Sequence, residues 1–233
     1  MADRRLSKEI EDDQLGAAVM ATRDFLAEHR NAVLLVAALV LVAVVVTIVV
    51  SHSRAQTRLA MESQLGEALF MMQGMDYTRA AMMLESLLER YPGGPLAHDV
   101  MYHCATAQFL AGNPARALEL FENLHGRGLS DRMRAFAVQE GMADCHAAQG
   151  DWNRAGEAYE RLAAEAGSVG QTDRAARMLA EGAACYEKAG NWAGVHRVAG
   201  RLTDEFEEGT QGWKLGTRFE ARAKILEKTA GPS

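Results

Sequence analysis

The chain has 233 residues, room for one or two domains, and a formal net charge of -6, which excludes a bulk nucleic-acid-binding surface. Aromatic residues make up 6% and proline occurs four times. With alanine, leucine, glutamate and arginine abundant, an all-α protein is expected and a sheet is not.

The first segment, residues 1–31, is short and charged. In "EDDQLGAAVMATRDFLAEHR" the residues Leu15, Val19, Thr22 and Leu26 follow one another by four, three and four positions. They share one helical face, and Asp12 and Asp13 suit the start of such a helix. It is either a membrane-surface or partner-binding helix, or a plain juxtamembrane extension of the apolar stretch at residues 32–50.

Residues 32–50 hold fourteen Val, Leu or Ile, four Ala and the single hydroxyl of Thr47. A nineteen-residue helix is about 28 Å long, close to the hydrocarbon thickness of a bilayer. Its aliphatic side chains favour insertion by on the order of 4–8 kcal/mol in sum. A core helix would carry a polar stripe, and a cleaved signal peptide would have a shorter leader and a shorter apolar stretch. A retained transmembrane helix is therefore expected. Arg4, Arg5, Lys8, Arg23 and Arg30 precede it, against Arg54 and Arg58 after it. The excess places the amino terminus in the cytoplasm and the remainder outside. Residues 51–60 are a linker or an extension of the helix.

Residues 61–208 repeat. Aligned on Ala80, Ala117, Ala155 and Val195, four units each carry a small residue twelve positions earlier: Ala68, Ala105, Ala143 and Ala183. Leu87, Leu124, Leu162 and Leu202 stand seven positions later. Gly112, Gly150 and Gly190 stand five positions earlier, with Gly74 displaced by one, and Tyr77, Pro114, Trp152 and Trp192 stand three earlier. Each unit is expected to be two helices joined at the glycine, with the small residues letting them approach. One hairpin cannot bury its apolar face alone, so neighbours must stack. The stretches "HGRGLS" and "AGSVGQTD" are expected as loops that lengthen the repeat. These residues resemble the tetratricopeptide repeat family, although the repeat is longer than usual and Val195 replaces the usual alanine.

In residues 209–233, Leu215, Phe219, Ala223 and Leu226 mark one face and Arg218, Arg222, Lys224 and Lys228 the other. A capping helix over the last repeat is expected, ending in a short tail. The expected fold class is thus all-α, with one amino-terminal transmembrane helix, an α-solenoid of about four helical hairpins, and a cap.

No phosphate-binding loop, dinucleotide fingerprint, zinc-protease motif or nucleophile elbow occurs, so no catalytic, cofactor-binding or metal residue is assigned. "HDVMYHC" brings His98, His103 and Cys104 close in sequence, but His103 and Cys104 point about 100° apart on a helix. Cys145 and Cys185 hold equivalent repeat positions; they are either small apolar fillers or a disulfide pair. The methionines Met71, Met72, Met75, Met82 and Met83 suit a core, an adaptable groove or soft copper(I). A metal-handling or enzymatic periplasmic protein is the alternative to a scaffold.

The family resemblance implies a protein-binding groove along the first helix of each hairpin. Carried over by position, the groove comprises Leu65, Leu69 and Met72; Tyr102, Thr106 and Phe109; Glu140 and Asp144; and Glu187. It would grade from apolar to acidic. The layout of tail, anchor and exported solenoid resembles the ancillary subunit of the SecYEG translocon of bacterial inner membranes. That resemblance implies the translocon and periplasmic chaperones as partners, a single-pass inner-membrane location, and a role in protein export or envelope assembly. The oligomeric state stays open.

Overall fold

The computed structural model describes residues 30–94 and 96–230. The expected helix at Leu15–Leu26 lies outside the described residues. The chain divides into two compact units, residues 1–57 and 58–233. Nine helices are formed among the described residues.

Helix α1 spans Arg30–Gln73. Leu34, Leu35 and the larger aliphatic side chains from Leu39 to Val50 are 42–66% exposed, so among the described residues nothing buries this stretch. The lone hydroxyl in it, Thr47, donates to the carbonyl of Ala43 at 2.7 Å. Its polarity is thereby satisfied within the helix.

The second unit is a stack of helical hairpins. The end of α1 pairs with α2 (Tyr77–Arg90). Then come α3 (Ala97–Leu110) with α4 (Pro114–Gly126), α5 (Arg132–Ala148) with α6 (Trp152–Ser168), and α7 (Thr172–Lys188) with α8 (Trp192–Asp204). Helix α9 (Gln211–Ala230) packs on α8 and α7. Its Ala223 is buried and its Leu215 and Phe219 lie against the core, the face expected of a cap.

The repeat alignment marks where the helices meet. Ala68, Ala105, Ala143 and Ala183 are fully buried, and Ala80, Ala117, Ala155 and Val195 are buried opposite them. Leu87, Leu124, Leu162 and Leu202 complete the two clusters that form the core. Small side chains are required here because closely packed helices leave no volume for larger ones.

The turns share one geometry. Gly112, Gly150 and Gly190 have φ of +86°, +87° and +68°. In the second hairpin the Asn113 N–H donates to Gln108 O at 2.9 Å and the Gly112 N–H to Phe109 O at 3.0 Å. The third and fourth hairpins repeat the same two bonds. Such a left-handed residue satisfies carbonyls that the helix end leaves free. The first hairpin makes the same bonds, Asp76 N–H to Met71 O and Met75 N–H to Met72 O. There the left-handed residue is Met75, φ +61°, and not Gly74.

One expectation fails. "AGSVGQTD" is not a loop: α6 continues through Ser168 and α7 starts at Thr172. The alanine-rich sequence ahead of Gly167 favours helix, and the turn waits for Gly170, at φ +73°. The extra repeat length there is helix. In "HGRGLS" the helix ends at Gly126 and a loop does come after it.

Candidate functional site: the first-helix face

All nine carried-over positions are half-buried, on the first helices of the four hairpins. Leu65 and Met72 on α1, and Tyr102 and Phe109 on α3, lie against the core shared by hairpins one and two. The Tyr102 ring meets Phe121 edge-on with centroids 6.1 Å apart, and His103 at 5.3 Å. Both aromatics therefore support packing while keeping part of their surface open. The Thr106 hydroxyl donates to its own helix at Tyr102 O, 3.0 Å away.

The carboxylates at the far end are each partnered within the chain. Arg177 of α7 approaches Glu140 of α5 at 3.4 Å. Arg222 of α9 approaches Glu187 of α7 at 2.9 Å. The Tyr159 hydroxyl of α6 donates to Asp144. Burial pushes the carboxyls of Glu140 and Asp144 above the usual range, more than Arg177 or the Tyr159 hydrogen bond lowers them. The acidic end of the face is thus a mixed-charge surface, because arginines of the next element reach across it.

Those arginines belong to a pattern the sequence reading missed. Arg134 of α5 pairs with Asp99 of α3, and on the second helices Arg116 pairs with Glu85 at 2.9 Å and Arg197 with Glu160 at 2.6 Å. The acid precedes the base by 31 to 37 residues, so each pair joins one hairpin to the next. The signal was present in the sequence as acids recurring one hairpin before arginines.

The tightest joint lies between hairpins three and four. The Tyr186 ring sits between Gly156 and Gly194: a Cβ at either would come within 2.8 Å or 2.6 Å of ring carbons. Its hydroxyl donates to Glu160 Oε1 at 2.7 Å, and Arg197 donates to the same carboxylate. Burial pushes the Glu160 carboxyl up, but the hydrogen bonds and the arginine charges outweigh it and hold it below the usual range.

The other chemical candidates separate in space. Cys104, Cys145 and Cys185 are free and buried. Burial pushes their thiols up to about 12, about 12 and about 11, so the thiolate that metal binding or exchange requires is suppressed. Among the described residues, no three His, Cys, Asp or Glu side chains gather as a ligand set. Met71, Met72 and Met83 pack against the core, whereas Met75 and Met82 face outward.

Residues 63–94 and 138–168, the first and third hairpins, match the tetratricopeptide repeat family. Two crystal structures of nearly identical TPR-like repeats from a putative kinesin light chain of Podosopora anserina are similar in fold. One, a single-residue variant, is 18% identical with a TM-score of 0.56, covering 72% of this chain and 87% of that one. The other is 16% identical with a TM-score of 0.53, covering 76% and 98%. No curated protein matches the sequence. The fold is thus an all-α, tetratricopeptide-like solenoid, two of whose hairpins match the repeat family.

Proposed function

We propose that the chain is a membrane-anchored protein–protein interaction scaffold, held by its amino-terminal apolar helix, with the repeats on the extracytoplasmic face. It serves protein export or envelope protein assembly near the translocon, and its partners are other proteins. It has no catalytic role and needs no cofactor. The observation that carries the reading is the half-buried face repeated along the first helices, with open aliphatic and aromatic surface on hairpins one and two. An extended or helical segment suits such a surface. The anchor rests on the unpartnered aliphatic stretch of α1, and the orientation on the Lys and Arg count around it.

Leu69 and Thr106 test the face with little risk to the fold, because neither belongs to the buried core. Leu69→Arg with Thr106→Arg should leave the melting temperature within about 2 °C and abolish partner capture in intact membranes. Unchanged capture by a stably folded double variant would remove this face from the binding site.

A further inference from the structure

A cationic cleft of about 360 Å³ opens beside hairpin three. It is lined by His125 at the end of α4, Met142 and His146 on α5, and Arg154, Glu157 and Arg161 on α6. Arg154 and Arg161 are seven residues apart, two helical turns, and therefore share a face. In a chain of net charge -6, the two arginines outnumber the one glutamate among the lining residues and reverse the local sign.

The arginines are not occupied by the stack itself. Arg154 holds the repeat position of Arg116, immediately before the buried alanine. Arg116 reaches back to Glu85 of the preceding hairpin. Arg154 does not do the same, and no carboxylate lies within 4.0 Å of Arg154 or Arg161 among the described residues. On the second helices, Glu85–Arg116 ties hairpins one and two, and Glu160–Arg197 ties three and four. The boundary between two and three lacks this tie, and there the cleft opens.

His146 adds a polar edge to the cleft: its Nδ1 is buried without a hydrogen-bond partner, and Asp151 Oδ2 lies 3.9 Å from it.

We propose that this cleft takes an acidic peptide segment of a partner protein, one carboxylate held by Arg154 and Arg161 with an apolar neighbour on Met142. The volume exceeds that of a single oxyanion, and Met142 supplies an apolar wall. Glu157 stands between the arginines in sequence and on the same stretch of helix, so it disfavours a run of acids and selects acids alternating with apolar residues. The inference rests on the scaffold reading but uses a surface separate from the first-helix face.

The test is fluorescence anisotropy with the full chain in detergent micelles and a labelled hexapeptide of alternating glutamate and leucine. The peptide should bind, and its glutamine counterpart should bind about ten-fold more weakly or worse. Arg154→Gln with Arg161→Gln should weaken binding by a similar factor without lowering the melting temperature, since each lost charge-assisted hydrogen bond is a sizeable share of affinity. Lys214→Gln with Arg218→Gln should change nothing. The proposal is overturned if the peptide does not bind, if the glutamine peptide binds equally, if the Arg154/Arg161 variant binds like wild type, or if inorganic phosphate displaces the peptide at equal concentration. If Thr106→Arg also removes binding, the peptide sits on the first-helix face, and the cleft proposal fails while the scaffold reading stands.

Discussion

Met75 occupies a position where three of the four repeats place glycine, and it holds φ +61° with its side chain 76% exposed. For a residue with a Cβ the left-handed conformation costs roughly 1–2 kcal/mol. Met75→Gly removes that strain, and the greater freedom of glycine in the unfolded chain returns part of it, about 0.4–1 kcal/mol. A net gain of about 0.5–1 kcal/mol is expected, seen as a rise of about 2 °C in thermal melting. A fall would show that the Met75 side chain contributes packing that its exposure hides. Gly194 makes the opposite case. Alanine is the better helix former by about 1 kcal/mol, yet its Cβ would meet Tyr186 Cγ at 2.6 Å while Gly156 blocks the ring on the other side. Overpacking costs about 1–3 kcal/mol, so Gly194→Ala should lower the melting temperature. A neutral or stabilised variant would mean that the ring can move.

At the scale of elements, the cap is fixed to the last hairpin by charge as well as by its apolar face. His196 Nδ1 lies 2.8 Å from Glu220 Oε2, and Nε2 lies 3.3 Å from Glu227 Oε2, both on α9. The hydrogen bond with Glu220 raises the imidazole pKa above its ordinary value, more than burial lowers it, and Glu227 adds to the rise. The same His196 bond holds the Glu220 carboxyl below the usual range. A raised histidine pKa stabilises the fold below about pH 6.5 and loses that contribution as pH rises through the folded value. The depressed Glu220 sets the lower limit, its contribution fading as pH falls through its own lowered pKa. Between about pH 6 and about pH 8, the melting temperature of the wild-type chain should fall more than that of His196→Gln. Parallel curves would separate the histidine from the docking of α9.

The elements also show what the sequence could and could not carry. The hairpins were legible because Ala68, Ala105, Ala143 and Ala183 and their partners mark helix crossings, where volume permits little else. The turn at Met75 was not, because methionine gives no sign of a left-handed backbone and Gly74 stood beside it as the obvious candidate. "AGSVGQTD" misled because two glycines suggested a loop, while only Gly170 adopts the turn conformation. The mixed charge of the first-helix face was hidden because Arg177 and Arg222 come from neighbouring elements. A residue-by-residue transfer along one helix does not see them. The tyrosine slot at Gly156 and Gly194 needed three helices in place before it had a meaning.

At the scale of the whole molecule, the proposed function joins an apolar anchor to an exported scaffold. A reporter active only outside the cytoplasm, fused after Ser233, should be active; a stable but inactive fusion would reverse the orientation. The central claim is that a protein partner lies on the first-helix face. Its most direct test is a photocrosslinking residue placed at Tyr102, and separately at the exposed Arg79 of α2, in intact membranes. A discrete protein adduct from position 102 and none from position 79 is the predicted result. The same adducts from both positions, or an adduct from position 79 alone, would contradict it.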